Sequence, residues 1–511
     1  MGTIPGMRLS LAVATLGCLS AMQAPALPAL AGTATDVAAI DAHVRAAMDA
    51  SGVPAVSYAI ARDGVVIHVG AFGLAGPGGV PMTGRTPLVL GSVGKSMTAL
   101  AIRQLQQAGR LGLDMPVVRY LPWFALGGGT GVADRITVRQ LLQHTSGLST
   151  ADGQNPRWYA PGLSVEGIVR SLAGVTPTGV PGSYAYSNLN YVILGALIEA
   201  VSGESYGAYL RAHVFAPLGM VDSFTSLADA QGDGLAAGHR VLFGVTVPYD
   251  EPYPTGMVPA GYQIASADDM GRFVAALANQ GITAGSDIAT ATGNAVRQPP
   301  QPAAPDYGTD WQPLLGAGAG TWSGQSGSTL TTNADILVAP VEHVGVAVLM
   351  TANPTQVMNL PAGASDVALD VLRLTLGLAP SSTPPTVRTL YLAIDGLLLV
   401  LLALLAVHAA RARSWRDRLR TGAHSRLLLA RTVVADALLP LGVLLGLPLA
   451  IGATGSTHPG DVVGGWRFLL WTLPDLAASL ALLAVVGMML GIAKLLALTG
   501  LTRPGRMRRA A

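Results

Sequence analysis

Ser92 and Lys95 stand three residues apart in the stretch Leu90-Gly91-Ser92-Val93-Gly94-Lys95-Ser96-Met97-Thr98-Ala99. On a helix that spacing puts a hydroxyl and an amine on one face. A serine hydroxyl is a weak nucleophile until a neighbouring base takes its proton. A lysine can be that base when burial or nearby cations depress its pKa, whereas an arginine cannot be deprotonated. The chain has two lysines, Lys95 and Lys494, among 31 Lys+Arg, so a deprotonatable amine stands at the one place the serine needs it. A helix start there adds unpaired backbone N–H groups and a dipole that favour developing negative charge. Gly94-Lys95-Ser96 also looks like the end of a phosphate-binding loop, but the glycine required five residues before Gly94 is Val89.

Two further stretches offer partners. In Tyr184-Ala185-Tyr186-Ser187-Asn188-Leu189-Asn190-Tyr191, Tyr186 and Asn188 present a phenol and an amide just before a helical pattern. A tyrosine held near cations can trade protons with Ser92. In Trp322-Ser323-Gly324-Gln325-Ser326-Gly327-Ser328-Thr329, a glycine-rich strand edge lets a substrate backbone approach and offers N–H donors to an oxyanion.

The elements that must position these groups follow from periodicity. Residues 35–51 have helical spacing, and 55–60 and 65–69 read as a hairpin around Asp63-Gly64. Residues 74–84 read as a loop. From Val93 the apolar positions Met97, Leu100, Ala101 and Leu105 recur helically, with Gly109 as a left-handed stop. Leu113 to Val117 breaks that pattern, and Gly127-Gly128-Gly129 marks a surface connection. Helices are expected over 136–143, 192–200 and 266–280, and strand-length apolar runs lie at 335–338 and 344–349.

Composition divides the chain. Half of the 511 residues are hydrophobic and 12% are charged, and the mean hydropathy is +0.46, which implies a membrane portion. Three long apolar stretches at 390–407, 433–451 and 473–498 are each long enough to span hydrocarbon. Arg411, Arg413, Arg416, Arg418, Arg420 and Arg426 between the first two, and Arg503, Arg506, Arg508 and Arg509 in the tail, place both segments in the cytoplasm by the positive-inside rule. Asp395, Asp436 and Asp475 sit toward span ends and read as hydrated interfacial carboxylates. Arg8, the apolar run 9–22 and Ala29-Leu30-Ala31 read as a secretory signal peptide over 1–31. Both signals put the 32–378 region outside, on the periplasmic or extracellular side of a bacterial cytoplasmic membrane, with the C-terminus in the cytoplasm. Residues 32–388 carry 17 Lys+Arg against 24 Asp+Glu and residues 389–511 carry 13 against 5. The basic end is accounted for by topology, so no nucleic-acid partner is expected. The one cysteine, Cys18, lies in the N-terminal run, which excludes disulfides and thiolate metal sites. No metal or cofactor is expected.

Ser92-x-x-Lys95, Tyr186-x-Asn188 and the Gln325-Ser326-Gly327 strand together resemble the three motifs of the serine β-lactamase-like family, which includes class C β-lactamases, DD-carboxypeptidases, D-aminopeptidases and esterases. Ile136-Thr137-Val138-Arg139-Gln140-Leu141-Leu142-Gln143-His144-Thr145-Ser146-Gly147-Leu148 agrees with it, in the right order. The resemblance implies an α/β (α+β) fold: a central antiparallel sheet flanked by helices plus an all-helical lobe over 32–378, then a Pro/Ser/Thr-rich linker at 379–388 and the membrane domain 389–511. It implies Ser92, Lys95 and Tyr186 as catalytic residues, Asn188, Gln325, Ser326 and Gly327 as substrate-binding residues, and the N–H groups of Ser92 and Ser328 as the oxyanion hole. The family usually has Lys or His where this chain has Gln325, so the cation that would hold a β-lactam or C-terminal carboxylate is missing and weak or absent β-lactamase activity is expected. The layout is also similar to that of prodrug-activating peptidases of nonribosomal peptide pathways, exemplified by the colibactin-maturing peptidase. The expected partners are a small-molecule or peptide substrate and membrane lipid, with the oligomeric state left open. An esterase, or a catalytically impaired penicillin-binding or signalling module, is the alternative.

Overall fold

The computed structural model describes residues 35–129, 131–279, 312–314, 322–354 and 363–381, together with parts of 389–501. The first helix, α1 (Val37–Ser51), begins because the Asp36 side chain accepts a hydrogen bond from the Ala39 N–H and ends at Gly52, whose φ of 68° is left-handed. Strands β1 (Ala55–Arg62) and β2 (Val65–Gly76) form the expected hairpin around Asp63 and Gly64. The expected loop at 74–84 is partly strand: β2 runs on to Gly76 and pairs with β3 (Val80–Pro81). Backbone pairing along an edge supplied order there that turn residues did not announce.

The central sheet has seven strands in the order β3-β2-β1-β11-β10-β9-β8. Its later members are β8 (Gln312–Leu314), β9 (Trp322–Ser328), β10 (Asn333–Ala339) and β11 (Val344–Met350). Two-residue β4 (Leu88–Val89) pairs with β7 (Ile264–Ala265), and β5 (His239–Leu242) pairs with β6 (Val245–Pro248) as a separate hairpin. Every residue of β10 and β11 is buried, and so is β1 up to Ala61. Continuous burial rather than alternation means that both sheet faces are covered. One face packs on α1 and on the helix Ala364–Thr375, through Ile40, Val44, Val367 and Val371. The other packs on the helix Ala267–Ala278, through Met270, Phe273 and Val274, and on the helical lobe.

Within that lobe lie α2 (Lys95–Gln107) and α3 (Asn188–Ser202). All ten residues from Leu189 to Ile198 are buried, the mark of a helix enclosed on every side. The helices Ala267–Ala278 and Ala364–Thr375 are α4 and α5 in chain order. These observations agree with the expected sheet and helical lobe.

The signal peptide at 1–31 and the arginines at 411–426 and in the tail lie outside the described residues. Spans expected at 390–407 and 433–451 are described only in pieces, and the third overlaps a helix over Pro474–Leu501 that follows another over Val462–Thr472. Among the described residues whose side chains can be read, no helix is long and apolar enough to cross a membrane.

Candidate active site

Ser92 sits in a 3-10 turn, Gly91–Gly94, that leads directly into α2, so the expected helix start is a tighter turn followed by an α-helix. That turn is pressed against the end of β9. A Cβ on Gly327 would come 2.1 Å from the Leu90 carbonyl oxygen and 2.8 Å from the Ser92 nitrogen. Gly91, at φ 58°, faces the Ser328 nitrogen in the same way, with a Cβ there 2.4 Å from it. Glycine is required at both positions because backbone meets backbone. The backbone nitrogens of Ser92 and Ser328 are thus brought close together at this contact. Asn333 steadies the strand end: its Nδ2 donates to the Gly327 carbonyl at 2.9 Å, and its Oδ1 accepts from the Ala364 N–H at 2.7 Å.

Ser92 Oγ lies 2.7 Å from the Tyr186 hydroxyl and 3.1 Å from Lys95 Nζ. Lys95 Nζ also donates to Asn188 Oδ1 at 2.8 Å and to the Ala260 carbonyl. Nζ lies over the Tyr186 and Tyr191 rings, 5.0 Å and 5.5 Å from their centroids. All three oxygens around Nζ are neutral, and the side chain is fully buried. Burial therefore pushes the Lys95 pKa well below the ordinary lysine value. A neutral amine that donates to Asn188 and Ala260 keeps its lone pair for the Ser92 proton.

Asn188 is the first residue of α3, with its Nδ2 donating to the Tyr159 hydroxyl at 2.8 Å. His144 clamps the start of this helix. Its Nδ1 accepts from the Ser187 N–H at 3.0 Å, and its ring lies 4.7 Å from the Tyr186 ring. Burial, with a smaller contribution from the nearby Lys95, pushes the His144 pKa well below the ordinary histidine value, so a neutral ring is available to accept that bond. Gln263 fixes the other side of the nucleophile: its Nε2 donates to the Gly94 carbonyl at 3.0 Å and its backbone carbonyl accepts from the Leu90 N–H at 2.9 Å.

The structure thus joins Ser92, Lys95, Tyr186 and Asn188 in one hydrogen-bonded group and packs Gly327 and Ser328 beside it. Gln325 and Ser326 differ from these. Gln325 is buried, with its Nε2 donating along its own strand to the Ser326 carbonyl at 3.0 Å, while Ser326 is exposed. Sequence reasoning missed Tyr159, the Ala260 carbonyl, Gln263 and Asn333. None belongs to a spacing pattern with Ser92, and each arrives by a long-range contact.

Residues 40–369 match the family model described as Beta-lactamase. The chain is 33% identical over 256 residues to the esterase EstB of Burkholderia gladioli, covering 43% of this chain and 65% of that esterase, just under two thirds of its length. It is 24% identical over 447 residues to protein flp of Staphylococcus aureus strain MW2, covering 85% of each. Among solved structures, the octameric penicillin-binding protein homologue from Pyrococcus abyssi superposes with a TM-score of 0.58 at 26% identity, over 69% of this chain and 80% of that one. With the family match covering more than half of its length and the same sheet-and-lobe architecture in place, the chain belongs to the beta-lactamase family.

Proposed function

We propose that this protein is a serine hydrolase of the β-lactamase fold, tethered to a membrane by its C-terminal segment and acting outside the cytoplasm on an amide or peptide through an acyl-enzyme at Ser92. The observation that carries this reading is the triangle of Ser92, Lys95 and Tyr186, in which a buried, proton-poor amine meets a hydroxyl. Ser92 Oγ adds to the substrate carbonyl as Lys95 Nζ takes its proton, and the carbonyl oxygen collects negative charge beside the N–H groups of Ser92 and Ser328. Tyr186 shares Ser92 Oγ and is placed to protonate the departing nitrogen. Water then cleaves the acyl-enzyme ester by the reverse traffic of protons, and Ser92 regains its hydrogen. Peptides containing a D-residue and nonribosomal-peptide prodrugs are the substrates that the motif order and the chain layout favour. An ester substrate fits the same chemistry, and the similarity to EstB supports that second reading.

A fluorophosphonate probe tests the nucleophile directly. The full-length chain is expected to form one adduct, mapped to the Ser92 peptide by mass spectrometry and absent from Ser92→Ala, with turnover falling by at least about 10³-fold. A folded protein that gives no Ser92 adduct would favour the binding-module alternative. Turnover of N-acyl-D-amino-acid amides against p-nitrophenyl esters separates peptidase from esterase.

A further inference from the structure

A cavity of about 510 Å³, within the size range of small-molecule sites, reaches the segment that leads to the nucleophile, although Ser92, Lys95, Tyr186 and Asn188 do not line it. Its wall includes Val89, three residues before Ser92, and Tyr262, which follows Gly261. A Cβ on Gly261 would lie 3.2 Å from the Ser92 nitrogen, so this wall is continuous with the nucleophile turn. Tyr262 is also linked to the centre by ring contact: its centroid lies 6.4 Å from that of Tyr159, whose hydroxyl accepts from Asn188.

The polar feature of this cavity is Glu251. Its Oε1 accepts from the Tyr262 hydroxyl at 3.2 Å and its Oε2 from the Thr331 hydroxyl at 2.7 Å. Both donors are neutral, so they fix the carboxylate in place without cancelling its charge. Each carboxylate oxygen keeps acceptor capacity for a further donor. Asp250 lines the same wall and adds to its negative character. Where a carboxylate-binding cation would stand on β9, Gln325 is buried and turned along its own strand. The cleft therefore offers an oriented anion to a ligand and no oriented cation in that position.

We infer that this cavity is a substrate subsite for a cationic group, an ammonium or guanidinium carried on the substrate away from its scissile carbonyl, with Glu251 as the residue that selects it. Tyr262 and Thr331 are positioning residues that hold the two oxygens apart and aimed. A charge-assisted hydrogen bond at a site fixed in this way discriminates strongly against a neutral isostere. The inference rests on the reading of Ser92 as nucleophile.

Two sets of p-nitrophenyl esters test it with the purified full-length chain, one with an acyl chain ending in an ammonium, the other with a neutral isosteric end. The kcat/KM ratio of ammonium to neutral substrate is expected to be about tenfold or more, carried by KM. In Glu251→Gln that ratio should fall to near one, and in Glu251→Lys it should fall below one. A wild-type ratio near one, or a preference that survives Glu251→Gln, overturns the inference. Ser92→Ala separates its failure from that of the hydrolase reading: calorimetric binding of the uncleaved ammonium ester should keep the same preference over the neutral one, whatever the turnover of the wild type.

Discussion

Each face of the central sheet buries an ionisable group that has left its ordinary pKa. On the lobe side is Lys95, and on the side of α1 and α5 is Asp335, whose Oδ2 accepts from Ser365 Oγ at 2.6 Å. Burial lowers the first and raises the second, to about 8. The electrostatic cause is the same, since each site disfavours charge. The surroundings differ. Lys95 shares a hydrogen bond with a hydroxyl at the edge of a cleft, so its displaced pKa can move a proton to and from a substrate. Asp335 is 3% exposed and bonded to a helix that covers it, so its displaced pKa affects only how folding responds to pH. A perturbed pKa marks chemistry only when a reacting group can reach it.

Three substitutions and one control sharpen this contrast, in order of expected effect. Lys95→Arg replaces the base with a group that stays protonated, and is expected to lower acylation, read as the rate of fluorophosphonate labelling, by about 10²–10⁴-fold. The wild-type rate should also fall as pH drops through the lowered Lys95 pKa, because only the deprotonated amine accepts the Ser92 proton. A variant that labelled at the wild-type rate would remove Lys95 from the mechanism. Gly327→Ala drives a methyl into the Leu90 carbonyl and the Ser92 nitrogen and so displaces the nucleophile turn. It is expected to slow labelling by about 10²-fold, as a misplacement near 1 Å does. Gly174→Ala, where nothing lies within 4 Å, should leave the rate unchanged and serves as the control.

The smallest effect is expected on the other face. Asp335 holds its proton in the folded state up to pH about 8, against an ordinary value of 3.8 when unfolded. The native state therefore binds more protons than the unfolded state across that window, and stability falls as pH rises from about 4 to 8. Asp269, raised to about 6, acts in the same sense. In Asp335→Asn the decline of the thermal midpoint over this range should be shallower than in wild type, with labelling of Ser92 intact. A parallel decline in both proteins would show that Asp335 titrates normally.

Much of this arrangement was legible in the sequence. The hairpin of β1 and β2, the helix after Ser92 and its stop near Gly109 follow from local periodicity and turn residues, which act over a few positions. The pairing of Ser92 with Lys95 follows from helical spacing for the same reason. Gln325 stands out as a departure because a motif fixes what is expected there. The extension of β2 and its pairing with β3 were not legible, because a ladder bond depends on the neighbouring strand.

What the sequence determined by itself was the identity and order of the groups that could react, since type and short-range spacing are written directly in the chain. The tertiary structure decided what those groups can do. Lys95 has a lowered pKa because residues as distant as Ala260 and Asn188 enclose it among neutral oxygens in a water-poor space. Ser92 meets the end of β9 because Gly327 and Gly91 let two backbones touch. Glu251 enters the site only because Tyr262 and Thr331 bring it there. Desolvation and close contact are properties of the packed molecule, and no local pattern encodes them.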